Sequence, residues 1–153
     1  MKKSTILVIC IIFLASVLVV GFFGMNAESY YSKVYVDSIT PTGYIQCSTG
    51  EELKFADSNH RPDFYPILVW KFVKDMVISV DVDVHPDDAT FFNSIKLEIT
   101  SQGSYGGEDN IVAEIDGRNI ILKQPGFVEV TYRVMDGKNA SMTVGIYVMT
   151  VTQ

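Results

Sequence analysis

The chain has 153 residues, enough for one domain and a short additional segment, and its formal net charge is −6. The imbalance is larger beyond residue 25, where 10 basic side chains are outnumbered by 18 acidic ones. Such a charge repels phosphate groups, so the composition argues against a nucleic-acid partner and against a module that lies on anionic lipid.

The N-terminal segment has the pattern of a membrane-spanning helix. Two lysines, Lys2 and Lys3, precede Ile6–Met25, a run of 20 residues without a charge. A helix of that length spans about 30 Å, the thickness of the hydrocarbon core. The lysines favour a cytoplasmic N-terminus, which places the rest of the chain outside. We therefore predict that residues 1–25 form an N-terminal transmembrane anchor or a signal sequence, with membrane contact through residues 6–25.

The choice between anchor and cleaved signal depends on the residues near the end of the run. Cleavage after Ala27 or after Gly24 would place Met25 or Phe22 at the −3 position, where a small residue is required. The run also exceeds the roughly 7–15 apolar residues of a signal peptide. These features favour a retained, single-pass anchor in the cell membrane with an extracytoplasmic C-terminal domain. A cleaved, secreted protein is the alternative.

Residues 26–63 are predicted to form a juxtamembrane segment. Alternation over Lys33–Ile39 predicts a strand that stops at Thr40-Pro41-Thr42-Gly43. Two shorter strands and a loop are also predicted: Tyr44–Cys47, Leu53–Phe55 and Ala56–Pro66. Whether this segment joins the following sheet stays open. Because Cys10 lies in the apolar run, Cys47 is expected to be a free thiol or to form an intermolecular bridge.

From residue 64 onward the sequence has the period of β-strands. Met76–Val84 alternates, with Ser79, Asp81 and Asp83 on a solvated face. The other predicted strands are Ile67–Phe72, Ser94–Thr100, Ile111–Ile115, Asn119–Leu122, Val128–Val134 and Ser141–Val151. Turn signals separate them, at Asp116-Gly117-Arg118, Pro125-Gly126 and Asp136-Gly137. No sustained helical periodicity follows residue 25, so the pattern predicts an all-β antiparallel sandwich or barrel.

Four segments in order are similar to those of bacterial immunoglobulin-like domains of group 2. They are Val112–Gly117, Ile120–Lys123, Pro125–Thr131 and Asp136–Lys138, and Val77–Thr90 also resembles a stretch of that family. The sequence departs from the family where Ile99 replaces a usual tryptophan and where Gln102–Asn110 is rich in Gly and Ser. The resemblance covers about residues 64–152. It implies that residues 64–153 form an immunoglobulin-like antiparallel β-sandwich, a surface or secreted adhesion or spacer module without enzymatic activity or shared site residues.

Candidate metal and catalytic residues have simpler interpretations. The acidic group Asp81, Asp83, Asp87 and Asp88, with His85, could offer oxygen ligands to Ca²⁺, but alternate aspartates on a strand are typical of a solvated face. Neither His60 nor His85 belongs to a zinc-binding pattern. The loop Gln102–Asn110 lacks the lysine of a phosphate loop. No nucleophile elbow is present, so we predict no enzyme and no catalytic, cofactor or metal site.

Aromatic residues suggest three different roles. Tyr30 and Tyr31 suit the membrane–water interface. Tyr35 and Tyr44 are predicted to pack, and Trp70, within an apolar run, is predicted to be a core residue.

The sequence thus predicts a non-enzymatic cell-envelope display or adhesion module that binds a protein or a glycan outside the cytoplasm. The alternative is an accessory subunit of a membrane protein complex, recruited partly through its transmembrane helix.

Overall fold

A computed structural model describes residues 15–16, 34–57, 61–89, 94–106, 110–135 and 138–149. The chain divides into two compact units, residues Met1–Val34 and Tyr35–Gln153. In the first unit the described residues are Ala15 and Ser16, which are helical, and Val34. The helix predicted for residues 6–25 therefore lies almost wholly outside the described residues. Among those that are described, no helix has the length and apolar character needed to cross a membrane.

The described part of the second unit contains eight strands in two four-stranded sheets. The strands are β1 Ser38–Cys47, β2 Phe64–Val69, β3 Met76–His85, β4 Ile95–Ser104, β5 Ala113–Asp116, β6 Asn119–Leu122, β7 Gly126–Val134 and β8 Ser141–Val148. The first sheet has the order β1-β3-β6-β5 and the second has the order β2-β8-β7-β4. The prediction of an all-β sandwich is confirmed at this level.

One strand pair is not antiparallel as predicted. Strand β2 runs parallel to β8, from Phe64 opposite Thr143 to Val69 opposite Val148. Strands that follow one another through a tight turn must be antiparallel, whereas β2 and β8 are far apart in sequence, and side-chain alternation is the same for both directions. The fully antiparallel expectation was therefore wrong at this edge.

Of the strand predicted for Lys33–Ile39, Ser38 and Ile39 alone lie in β1 among the described residues, so β1 begins later and extends further than predicted. It continues through Thr40-Pro41-Thr42-Gly43 and pairs with β3, with an irregular register between Pro41 and Ile45. Because β1 lies at a sheet edge, Pro41 removes no bond from a second neighbour, and Gly43 supplies the positive φ of 89° at this bulge. Residues 38–47, within the predicted juxtamembrane segment, are therefore part of the sandwich. The predicted strand Leu53–Phe55 is reduced to one bridge between Phe55 and Ile67.

The core lies between the sheets and follows from strand alternation. Ile67, Ile78, Ile120, Val130 and Ile146, drawn from both sheets, are fully buried. Burying an aliphatic side chain of this kind contributes roughly 1.5–3 kcal/mol. Inward aliphatic residues on both sheets therefore supply the main stabilisation of the sandwich.

Two aromatic residues predicted to pack are exposed instead. Trp70 is 54% exposed and Tyr44 is 60% exposed. Strand β2 ends at Val69, and its alternation places Ile67 and Val69 inward, so Trp70 follows on the outer side. An apolar run does not by itself indicate which of its residues faces the core, and the core assignment of Trp70 was wrong.

Neighbouring residues of β2 test this register. Ile67 is 0% exposed and Leu68 is 37% exposed. We expect Ile67→Ala to lower the free energy of unfolding by about 2–5 kcal/mol, because it leaves a cavity between the sheets. The matched change Leu68→Ala should cost less than about 1 kcal/mol. Chemical denaturation measures both, and equal losses would contradict the observed register.

Candidate functional site

The acidic residues singled out in the sequence lie on the outer face and beyond the end of β3. Asp81 and Asp83 are exposed and alternate with partly buried valines. The His85 ring instead has local partners, with Nε2 3.0 Å from Thr40 Oγ1 and Nδ1 3.3 Å from an Asp87 carboxylate oxygen. Within the described ranges, no group of three or more His, Cys, Asp or Glu residues is placed to hold a metal ion. His60 lies outside the described residues.

The segment that resembled a phosphate loop begins inside a strand. Gln102 belongs to β4, and its side-chain oxygen accepts hydrogen bonds from the N–H groups of Val112 and Ala113 at 2.9 and 3.0 Å. These bonds join the end of β4 to the start of β5. Gln102 therefore has a structural role, while residues 107–109 of the same segment are not described.

The most unusual feature of the first sheet is the difference in length between β3 and its neighbour β6. Strand β3 has 10 residues and β6 has four, and the two pair only through Met76, Val77 and Ile78. The β5–β6 hairpin turns at Gly117, whose φ of 61° suits glycine. Among the described residues, β3 from Ser79 to His85 therefore has a strand partner on its β1 side alone.

Hydrogen bonds show which backbone groups of β3 point toward β1 and which point toward the side without a paired strand among the described residues. On the β1 side, the Val77 N–H donates to Ser48 Oγ at 2.9 Å and the Val77 carbonyl accepts from the Ser48 N–H at 3.0 Å. The His85 carbonyl accepts from the Asp37 N–H at 2.7 Å, also on the β1 side. Backbone groups of successive strand residues point to alternate sides. Those of Val80, Val82 and Val84 therefore point away from β1.

A groove occupies the space beside this edge. It consists of two adjoining cavities of about 300 and 500 Å³, both within the usual range for binding pockets. The cavities share Val82, Asp83, Ile95 and Arg118. We call this the edge groove, and its remaining lining residues are Thr42, Ser79, Val80, Asp81, Val84, His85, Asp87, Leu97 and Tyr132.

Tyr132 of β7 also lines the edge groove. It is 2% exposed, and its hydroxyl oxygen is buried without a hydrogen-bond partner among the described residues. Burial raises the pKa of this hydroxyl well above its ordinary value. A buried hydroxyl without a partner costs about 1–3 kcal/mol. The folded protein therefore retains an unfavourable buried polar group.

The rim of the edge groove is predominantly acidic. The carboxylates of Asp81 and Asp83 make no ion pair with any described residue, and neither does the guanidinium group of Arg118. Arg118 lies in the β5–β6 turn, at the point where pairing of β3 ends. A ligand of the groove would therefore meet more negative than positive charge.

A second surface lies at one end of the sandwich, and we call it the apolar end. Five large apolar residues are exposed there: Trp70, Val73, Tyr105, Ile111 and Met149. Trp70, Tyr105 and Met149 follow β2, β4 and β8, whereas Val73 and Ile111 precede β3 and β5. The directions of these strands place all five residues at the same end of the sandwich. Backbone and side-chain bonds join the segments, including Met149 N–H to the Val69 carbonyl at 2.9 Å.

The chain enters the sandwich at the other end. Tyr35 and Asp37 lie beside Lys138, whose ammonium group is 2.7 Å from an Asp37 carboxylate oxygen and 5.7 Å from the centre of the Tyr35 ring. Lys138 belongs to the connection between β7 and β8, opposite the apolar end. The attachment point of the preceding chain and the apolar end are therefore separated by the length of the sandwich.

Trp70 also borders a shallow cleft of about 350 Å³ beside β2. Leu68 and Glu51 line the same cleft, and one carboxylate oxygen of Glu51 is buried without a hydrogen-bond partner. An exposed indole next to a carboxylate offers both a flat apolar surface and a hydrogen-bond acceptor.

Sequence reasoning missed Tyr132 and the edge groove. The sequence contained one relevant pattern, a long alternating strand (β3) and two short strands (β5 and β6) joined by a glycine turn. Neither the pairing of β3 with β6 nor the approach of Tyr132 follows from alternation, since both depend on residues distant in sequence.

The hydroxyl of Tyr132 gives a direct prediction for stability. Tyr132→Phe should raise the free energy of unfolding by about 1 kcal/mol at neutral pH, because it removes a buried polar atom that has no partner. Thermal and chemical denaturation measure this change. Tyr147→Phe, at a partly exposed tyrosine of β8, is the matched control and should have little effect.

The same variant should alter the response to alkali. The unfolded chain releases a tyrosine proton from about pH 10 upward, whereas the folded protein keeps the Tyr132 proton because burial raises its pKa. This contribution to stability is fully present below pH 10 and is lost as the pH rises toward the folded pKa. Tyr132→Phe should weaken the alkaline loss of stability, leaving a smaller slope from Tyr65, whose pKa is also raised. An unchanged slope would show that Tyr132 is not buried as described.

Comparison of the sequence with models of known protein families found no match, and comparison with curated proteins found none either. Function therefore has to be argued from the residues of the sandwich itself.

Proposed function

We propose that this chain is a non-enzymatic cell-envelope display or adhesion module, an extracytoplasmic immunoglobulin-like domain that binds a protein or a glycan. The observation that carries the proposal is the apolar end. Its exposed residues are gathered on loops at the end of the sandwich opposite the point where the chain enters. Loops held by a rigid sandwich are where binding residues are usually found.

The strand order supports the immunoglobulin-like part of the proposal. Such sandwiches have sheets of the order ABED and CFG. If β1 is strand A, β3 is B and the remaining strands follow in sequence, the two sheets read A-B-E-D and C-F-G. Strand β2 is then a second part of the first strand, moved to the edge of the other sheet beside β8.

The chemistry of the apolar end favours a protein partner over a glycan. Val73, Ile111 and Met149 are aliphatic or flexible side chains, which gain from burial against a partner's apolar surface. Trp70 and Tyr105 are residue types that often contribute most to binding energy at interfaces. The cleft that joins Trp70 to Glu51 is the feature that suits a glycan.

The location follows from the N-terminal run. Residues 6–25 are long and apolar enough to anchor the chain in the cell membrane, and Lys2 and Lys3 favour a cytoplasmic N-terminus. Tyr35, where the sandwich begins, lies at the end opposite the apolar end. This connectivity suits a module that is attached at one end and binds at the other.

Cross-linking from defined positions tests the binding surface. A photoreactive residue replacing Trp70 should form an adduct with a surface protein on living cells, because Trp70 lies within the apolar end. The same residue replacing Met135, an exposed apolar residue at the opposite end, is the matched control and should form none. Adducts of equal yield at both positions would contradict the proposal, and so would the absence of both a protein adduct at Trp70 and glycan binding. A glycan partner would leave Trp70 without a protein adduct but would give binding to immobilised glycans that Trp70→Ser removes.

Fractionation with intact-mass measurement tests the location. We expect the protein in the membrane fraction with residues 1–25 retained, because the run lacks a suitable cleavage site. A soluble species that starts near Glu28 would disprove the anchor and indicate a secreted protein. Exchange of residues 6–25 for an unrelated anchor should leave binding intact. Loss of binding after that exchange, with the protein still at the surface, would favour an accessory subunit recruited through its helix.

A further inference from the structure

We propose that the edge groove binds an extended peptide segment of another protein, which adds a strand beside β3 and carries basic residues on its outer face. This site is distinct from the apolar end and does not depend on the function proposed for it. Strand addition to an exposed sheet edge is a common way of binding peptides, since backbone bonds supply affinity and side-chain pockets supply selectivity.

The backbone of β3 from Ser79 to His85 has no strand partner on the β6 side among the described residues. The N–H and carbonyl groups of Val80, Val82 and Val84 point into the groove, on the side where pairing with β6 ends at Ile78. The stretch from Ser79 to His85 is about 23 Å long at a rise of about 3.3 Å per residue. This length accommodates an added strand of five to seven residues, which would continue the sheet where the β5–β6 hairpin stops.

Apolar side chains line the groove beside this edge. Ile95 and Leu97 of β4 form one wall, and Tyr132 of β7 lines the groove as well. Alternate side chains of an added strand would point inward, where apolar groups would contact these residues.

The charge of this edge indicates the side chains that an added strand would carry. Outward side chains of the added strand would lie beside Ser79, Asp81 and Asp83, whose carboxylates have no ion-pair partner among the described residues. Opposite charges on neighbouring strands stabilise a sheet, and like charges destabilise it. A strand with lysine or arginine at its outward positions therefore fits. Arg118, at the end of the groove, limits the basic stretch to the part next to the aspartates.

A second copy of this chain does not fit the same edge. If two β3 strands paired around Val82, Asp81 of one copy would lie opposite Asp83 of the other, on the same face. The resulting like-charge contacts oppose self-association, which is how many proteins protect an exposed edge. The aspartates therefore select a basic partner and exclude the protein's own β3.

The test uses the purified full chain in mild detergent at physiological ionic strength. The probe is an acetylated and amidated peptide in which valine alternates with lysine, with threonine in place of valine at one inward position. The control peptide carries glutamate in place of lysine. We expect saturable binding of the lysine peptide in calorimetric titration and at least tenfold weaker binding of the glutamate peptide. Amide hydrogen exchange should slow at Val80, Val82 and Val84 when the lysine peptide is bound.

Two sets of variants separate strand addition from general charge attraction. Val82→Pro removes an N–H that faces the groove and leaves the bonds to β1 in place, so it should fold and bind at least tenfold more weakly, whereas Val82→Ala should bind normally. Asp81→Lys combined with Asp83→Lys changes exposed side chains only and should reverse the preference toward the glutamate peptide.

Three results would overturn the proposal. The first is the absence of saturable binding of the lysine peptide. The second is equal binding of the lysine peptide by Val82→Pro and Val82→Ala. If Val82→Pro does not fold, the corresponding result is an unchanged peptide preference in the variant that combines Asp81→Lys with Asp83→Lys. The third is strong protection of the Val80, Val82 and Val84 amides in the free protein, which would mean that the chain already occupies this edge.

Discussion

Burial of the inward side chains of the two sheets is the interaction on which the other features depend. Ile67, Ile78, Ile120, Val130 and Ile146 can be removed from water only if the sheets cover one another. That requirement sets the register of every strand, because a shift by one residue would bring the opposite face inward. The same register turns Asp81 and Asp83 outward and Tyr132 inward. The charges of the groove rim and the burial of the Tyr132 hydroxyl are thus consequences of core packing.

Among the described residues, β6 is shorter than β3 and leaves part of the β3 edge without a neighbouring strand. A sheet edge without a neighbour exposes backbone groups that readily pair with another chain. In the first sheet, the outer edge of β1 and the exposed edge of β3 differ in how they affect pairing with another chain. Pro41 and the bulge interrupt the outer edge of β1, whereas the inner edge of β3 keeps its donors and carries acidic residues beside it. The first arrangement discourages any added strand, and the second discriminates among strands by charge.

The two proposed surfaces differ in chemistry and in position. The apolar end is built from loop residues, and its side chains gain mainly from desolvation. The edge groove is built from strands, and its selectivity comes from backbone direction and charge.

The sequence by itself determined the local features, because strand alternation and turn residues act over a few positions. It identified Asn119–Leu122 with the observed bounds, the solvated face of β3 and the division between an apolar N-terminal run and an all-β remainder. It did not reveal that β1 continues past Pro41, that β2 runs parallel to β8, or that Trp70 is exposed. These depend on which distant strand lies alongside, and alternation is the same whichever neighbour is chosen. Only the tertiary structure brought Tyr132 to the groove beside β3, because the two strands meet through packing of opposite sheets rather than through sequence.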